Sequence, residues 1–454
     1  MSTSAMGSQV ANLGTISGGS FTGIIHEMYQ GEVKQAVRAS SITSQLFKDA
    51  GPGDYSVVGE KLVFPVDLKF ATGAMHTSGY LPDHMYQDAV EGYITPTRAY
   101  RRGAIDNSVK RRGIKGPASF EDILSRLFDQ VFDSFKRLEI RSAIGGSTGV
   151  LCVVSARTSN AIIIVKDGYG HVGTAPAMHI AEGQTLSWLD ADNSYAVGGS
   201  GIVSSISYGT TATTSTITFA ASIENGDSTP TIAAADLFVN STTDLYSDDY
   251  FETEYNLSRN GLYDIVDPDN ALTTIHGISE STYARWRPWR EASATFDHIE
   301  LTEHWQKLAA QSTDLVNAQT HVALTSGAVV AELARTLEGY QQQQNLGRTF
   351  EGGYQAVKVA GMDIVPDPWF WHDVLVTLCL ENLYNIPLGD SGPDYFDEDG
   401  SMFSRLSDFD GVEWYVYDYR QVFTNLRNRH GVLTGIALPN VTAADFSPVP
   451  RASA

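Results

Sequence analysis

Ser147 sits in Gly145-Gly146-Ser147-Thr148-Gly149, which fits the G-x-S-x-G pattern of a serine nucleophile raised on a tight turn. That turn needs a strand before the serine and a helix after it, and here the local pattern has the reverse order. Gly168-Tyr169-Gly170-His171-Val172-Gly173 fits G-x-G-x-x-G, whose use is to set backbone amides and a helix N-terminus against a pyrophosphate. Pro176 and a β-prone run follow it, so no helix is expected. Asp397-Glu398-Asp399-Gly400 has the composition of a calcium loop. The EF-hand register puts Tyr395 at the first ligand and Leu406 where a bidentate Glu belongs, which leaves only a loose cation site open. His298, Glu300, Glu303 and His304 are the densest ionisable group; without H-E-x-x-H spacing they read as a solvated helix face. Cys152 and Cys379 stand far apart, which argues against a disulfide framework or zinc knuckle. These patterns support no catalytic, cofactor-binding or metal-binding residue, and no enzymatic activity.

The elements that would position any site follow from composition and period. The 454 residues hold 31 Lys plus Arg against 53 Asp plus Glu, a formal charge of −22, which argues against a protein held on nucleic acid by its bulk charge. Apolar residues at 42% and aromatics at 10% are enough for packed cores, and the length suggests about three domains. The start, Met1 to Gly19, has no basic residue and no apolar run, so it does not read as a signal peptide. The most apolar window, Trp369 to Leu383, contains His372, Asp373 and Glu381 and is too short to span a bilayer. Synthesis in the cytoplasm is the expectation.

Along the chain, residues to about Gly53 read as an extended arm with one helical stretch, Gly23 to Ser41. Leu62, Phe64, Val66, Leu68 and Phe70 then alternate with Val63, Pro65, Asp67 and Lys69, the period of a strand. A glycine- and proline-punctuated tip follows, and the return through Val90 to Ile105 implies a long two-stranded excursion. Such a ribbon is marginal alone and should be covered by something else. Arg98, Arg101, Arg102, Lys110, Arg111, Arg112 and Lys115 face one acid, Asp106, in the stretch Arg98 to Lys115. It is either a solvated turn or a complement to acidic patches on another copy. Leu124, Leu127, Phe128, Val131, Phe135 and Leu138 recur at steps of three and four after a Ser119 cap, predicting a helix from Ala118 to Ile144. That helix would be about 40 Å long at ~1.5 Å per residue and would stop at Gly145-Gly146 through positive φ.

Between Asp167 and Ser258 there is no Lys or Arg, while Asp and Glu recur. Short β-prone runs, Ala161–Val165, Thr185–Leu189, Gly201–Tyr208 and Ser215–Ala220, suggest an acidic, inserted all-β sandwich or barrel. Downstream, Thr320–Ser326 reads as a strand, Ala328–Tyr340 as a helix and Tyr354–Val365 as a strand or hairpin ending at Pro366. A second acid-rich loop runs from Asp390 to Asp410, and Val412–Tyr419 and Val422–Leu438 read as closing strands. Helices and antiparallel strands in blocks give the class α+β.

This order of elements resembles the major capsid proteins of tailed bacteriophages, the Hong Kong 97-like fold that encapsulins share. Gly145-Gly146-Ser147-Thr148-Gly149 matches the glycine-rich element after the family's spine helix, and Gly261-Leu262 matches the Gly-Leu pair that normally follows soon after. The resemblance implies an N-terminal arm (1–55), an extended loop (56–110) and a spine helix with peripheral domain (111–149). An inserted β domain (150–255), an axial domain with peripheral strands (256–410) and closing strands with a tail (411–454) would follow. It further implies self-assembly through hexamers and pentamers into an icosahedral shell around double-stranded DNA, in a virion assembled in the host cytoplasm. Partners would be the chain itself, a portal protein, scaffolding and decoration proteins, and packaged DNA by weak non-specific contact, with no cofactor, metal or membrane. The short arm leaves no room for a long fused scaffolding segment and implies an unprocessed chain. Phe64, Val66, Leu68 and Phe70, with Arg98, Arg101, Arg102, Lys110, Arg111, Arg112 and Lys115, are the expected inter-subunit contacts. Two other readings stand beside it: an encapsulin-like compartment, and a β-rich tail or glycan-binding adhesin.

Overall fold

A computed structural model describes, apart from a position or two within them, residues 42–69, 88–106, 131–171, 177–208, 214–223, 232–241, 254–338, 348–349, 355–387, 394–395, 404–405 and 410–438. The arm, the ribbon tip, the first half of the long helix and most of the loop from Asp390 lie outside the described residues. The described chain divides into two compact units: one is built from Thr97–Glu139 and Pro387–Arg420, the other from the remainder. Among the described residues no helix is long and apolar enough to cross a membrane.

In the larger unit β1 (Ser56–Val58), β2 (Lys61–Lys69) and β3 (Asp88–Ile94) form an antiparallel sheet, with Val57 opposite Leu62 and Phe64 opposite Gly92. The period of two is realised, since Leu62, Phe64 and Val66 are buried while Lys61 and Pro65 are exposed. The returning leg is shorter than expected and ends at Ile94. Pro96 has no N–H to extend the ladder. The next strand, β4 (Thr97–Asp106), belongs to the smaller unit and pairs there along its whole length with residues Gly411–Arg420.

Residues 133–144 are helical (α1), and the Gly145 amide closes the last turn on the Arg141 carbonyl at 2.9 Å. The helix stops where the sequence places its end, but for a different reason. The left-handed glycine is Gly149, at φ 69°, rather than Gly145 or Gly146, and the Ser147 amide donates to Asp264 Oδ2 at 2.7 Å.

Strands β5 (Val150–Ser159), β6 (Ile162–Lys166), β7 (Thr185–Asp190), β8 (Ala196–Tyr208), β9 (Ser215–Phe219) and β10 (Leu237–Asn240) close into an antiparallel barrel in the order β9-β6-β5-β10-β7-β8. Leu151, Val154, Ile163, Val165, Leu186, Trp188, Ile217 and Phe238 fill it. The four runs read from sequence are β6 to β9. β5 and β10 were missed: β5 ends in an exposed polar stretch, and β10 is four residues long, held by pairing on both sides with β5 and β7. The chain leaves the barrel beside its entrance, where the Asn256 amide donates to the Thr148 carbonyl at 3.0 Å.

Gly261 opens a short buried helix, α2 (Leu262–Val266), directly against the end of α1. A Cβ there would lie 2.1 Å from the Gly145 carbonyl oxygen and 2.5 Å from that of Ser142, so only glycine fits. The rest of the unit is a mixed sheet. Its strands are β11 (Trp289–Ala292), β12 (His321–Thr325), β13 (Arg348–Thr349), β14 (Gln355–Val359), β15 (Met362–Pro366) and β16 (Leu375–Cys379). β17 (Gly431–Thr434) completes the order β11-β17-β16-β12-β15-β14-β13. Alternate residues serve two cores. Val322, Leu324, Val365, Val376 and Val432 pack with Ile144, Leu262 and Trp371, while Ala323, Ile364, Leu375 and Leu433 pack with α3 (His298–Ser312) and α4 (Gly327–Glu338) through Leu301, Trp305, Val329 and Leu333. The α+β class, the strand at 321–325, the helix at 327–338 and the hairpin ending at Pro366 are as the sequence indicates.

A Gly261→Val substitution must push apart two backbone segments rather than a flexible side chain. It should destabilise the chain by about 3 kcal/mol or more, or prevent soluble folding, in urea denaturation.

Candidate functional site

The sequence-predicted contact residues separate into three groups. Phe64 and Val66 are each 1% exposed, covered by Ile275, Ile278, Trp286, Ile386 and Phe423 of the same chain. The Phe64 ring lies 4.4 Å from that of Phe423 and 5.6 Å, edge on, from that of His276. The expectation that a single copy leaves these two residues uncovered is therefore corrected, because the ribbon folds its apolar face onto its own body. The side chains of Leu68, Phe70 and Arg102, and the whole of Lys110, Arg111, Arg112 and Lys115, lie outside the described residues. Arg98 and Arg101 lie on β4.

That strand builds an open face. Its partner, β18 (Gly411–Thr424), sets Arg98 opposite Tyr419, Tyr100 opposite Tyr417 and Arg102 opposite Tyr415. Residues directly opposite in an antiparallel pair point to the same side of the sheet, so tyrosines of β18 share a face with Arg98 and Tyr100. Tyr100 remains 46% exposed, and its hydroxyl shares a 2.8 Å hydrogen bond with that of Tyr419. Partial burial and this bond push the Tyr419 phenol up to about 12. The Arg98 guanidinium lies 6.0 Å from the Tyr419 ring centre, at the outer range of a cation–π contact. On the opposite side Trp414, Val416, Asp418 and Arg420 are buried. Arg420 donates through Nε to Asp418 Oδ2 at 2.7 Å and through Nη2 to Glu139 Oε2, also at 2.7 Å, fastening α1 to the sheet. Sequence reasoning found the arginines and missed the tyrosines. The signal was the alternation Tyr415-Val416-Tyr417-Asp418-Tyr419, which read only as a strand. A second exposed patch lies on the ribbon, where Val57 and Val58 are each 61% exposed and the Lys61 ammonium sits 4.1 Å from the Tyr93 ring centre.

The sequence motifs hold structural roles. The G-x-S-x-G segment runs from helix to strand, and Gly168–Gly170 is one 3₁₀ turn ending at His171. The helix-face reading of the His298 group is corrected for His304, which is fully buried with Nδ1 3.2 Å from Glu291. Glu300 accepts the Ala294 amide at 2.7 Å at the start of α3. Further in, buried Arg427 donates to the carbonyls of Ile265 at 2.6 Å and Asp264 at 2.9 Å and pairs with Glu280. Arg290 joins Glu280 to Asp267 at 2.9 and 2.6 Å. This network satisfies the carbonyls at the end of α2.

No protein-family model matches the chain, and no curated protein matches it. Among solved structures it is similar to a chain of the cyanophage A-1(L) capsid asymmetric unit, at 13% identity over 83% of this chain and 88% of that one, with a TM-score of 0.45. It is similar to a chain of the satellite phage P4 procapsid that includes the size determination protein, at 10% identity over 90% and 91%, TM-score 0.39. A chain of the capsid of an empty GTA particle gives 8% identity over 88% and 90%, TM-score 0.41.

Burial holds His179, His276 and His430 neutral, each lowered to about 3. A histidine with a depressed folded pKa gives stability that is complete above the unfolded value near 6.5 and is lost as pH falls below it. Asp264 acts in the opposite sense: burial raises it to about 6, so acid favours its folded form. His171, raised to about 9 between two carboxylates, also gains from acid, but three histidines outweigh these two groups, and urea denaturation should show stability falling by about 2–4 kcal/mol between pH 7 and pH 5.

Proposed function

We propose that this protein is the major capsid protein of a tailed phage, a subunit that assembles through hexamers and pentamers into an icosahedral shell around double-stranded DNA. The observation that carries the reading is the seam at Gly261. The two glycine-bearing segments that resemble one element of the capsid fold, far apart in sequence, lie in van der Waals contact after the described end of the long helix. The barrel is then an insertion into that element, the chain entering at Thr148 and leaving at Asn256, one hydrogen bond apart. Along the chain, the ribbon before the helix and the mixed sheet after it follow the order of extended loop, spine helix and axial domain. Portal, scaffolding and decoration proteins are the partners this reading implies.

Copies would meet through polar, partly aromatic surface rather than a bare apolar ribbon. The face of Arg98, Tyr100 and the β18 tyrosines continues in sequence into Lys110–Lys115, while the chain as a whole carries −22. Contacts between that basic segment and carboxylates of adjacent copies would be individually weak and screened by salt, which lets misplaced subunits leave a growing shell.

Purified protein at micromolar concentration should give closed shells in negative-stain microscopy; a monomer that stays dispersed at every concentration overturns the reading. Neutralising Arg98, Arg111 and Arg112 together to Gln should cut particle yield at least tenfold and leave the melting temperature of the unassembled chain within a few degrees; Arg101 is left in place because it lies opposite buried Val416. Replacing residues 150–253 by a two-residue link should still give shells, but of lower thermal stability by calorimetry.

A further inference from the structure

The barrel is joined to the body by two adjacent backbone crossings, at Gly149 and near Asn256, where the Arg141–Glu254 ion pair also lies. Further contacts come from the Tyr195 ring, 5.3 Å from that of Tyr255, and from Asp167–His171 and His179, in the segment that leaves β6. There Asp167 and Tyr169 both adopt left-handed backbone, at φ 54° and 55°, which costs free energy in residues other than glycine. The turn they make drives Tyr169 into the body core beside Ile144 and Leu262. Two residues on, His171 is 2% exposed, its Nδ1 2.9 Å from Asp269 Oδ1 and its Nε2 3.3 Å from Asp373 Oδ1. The second is an ionic contact without the alignment of a hydrogen bond. His179 Nε2 lies 3.1 Å from the Trp369 carbonyl.

The groups facing His171 come from every element around it. Asp269 follows α2 and also accepts the Tyr263 hydroxyl at 3.2 Å. Asp373 precedes β16, and the Trp371 ring stands 5.7 Å from the imidazole. Both charges acting on the ring are negative. Two half-buried carboxylates, each 21% exposed, would repel across a buried ring that carried no charge.

We propose that His171, held as a cation between Asp269 and Asp373, is a proton-operated latch that fastens the barrel to the body, and that loss of the proton lets the barrel swing on its two-strand stalk. Burial opposes the charge, but the hydrogen bond to Asp269 and the nearby charges of Asp373 and Asp269 outweigh it and raise the group to about 9. The contact is therefore complete at neutral pH and below, and is lost as pH rises through about 9. This inference does not depend on shell formation, since every group lies within one chain.

The test is amide hydrogen exchange by mass spectrometry on the unassembled full chain, corrected for the intrinsic effect of pH. In the wild type, protection of segments 167–180 and 369–373 should fall at least tenfold from pH 7 to pH 10, while β7 and β9 stay protected. His171→Gln should show the low protection already at pH 7, and His171→Lys, a standing cation, should keep it at pH 10. Wild-type protection that is unchanged to pH 10, or a glutamine variant that matches wild type at pH 7, overturns the proposal. Should the glutamine variant fail to fold, Asp373→Asn, which removes one of the two carboxylates, must move the wild-type transition down by about one pH unit. No movement overturns it equally.

Discussion

Backbone meets backbone where Gly261 lies on the carbonyls that end α1, and the larger unit is organised around that contact. A helix terminus leaves its last carbonyls without intrahelical partners, and burying them demands close, shape-matched cover. A residue without a side chain lets α2 approach closely enough to supply it. Asp264, three residues on, ties the loop after the helix through the Ser147 amide. Arg427 holds the α2 carbonyls from the other side. The barrel can be carried here because its two ends leave and rejoin the fold at neighbouring points.

The mixed sheet and the ribbon solve the same problem in different ways. Strands such as β12 and β16 are buried on both faces, so alternate side chains feed separate cores and no polar face is needed. The ribbon has one apolar face, and the body covers it. Among the described residues, the exposed apolar and aromatic side chains include valines on β1 and, beside Arg98, tyrosines on the β4–β18 sheet. Interfaces of that composition depend on ionic strength more than interfaces built from an exposed core would.

Charge is distributed by location rather than averaged. Acids dominate the barrel segment and cations gather in the stretch from Arg98 to Lys115. Buried arginines and histidines act as internal fasteners: Arg420 between Asp418 and Glu139, Arg427 and Arg290 around Glu280, His171 between Asp269 and Asp373. Removing either partner of such a group strands a charge away from water, which is costlier than the pair is stabilising.

Local pattern in the sequence determined the strand period from Leu62 to Val66, the end of α1 at Gly145, four of the six barrel strands, and the helix and hairpin after His321. Each depends on residues within a few positions of one another, where side-chain period and turn chemistry act directly. Tertiary structure alone decided the rest. β4 joins a different sheet from the ribbon because it finds a full-length partner more than three hundred residues later. β5 and β10 are strands because closing the barrel supplies their ladders. Phe64 is hidden because Phe423 and Trp286 arrive from distant parts of the chain, and His171 holds its proton because Asp269 and Asp373 converge on it. Sequence spacing carries no record of such meetings, since each is fixed only when long-range contacts outweigh the entropy of closing the loops between them.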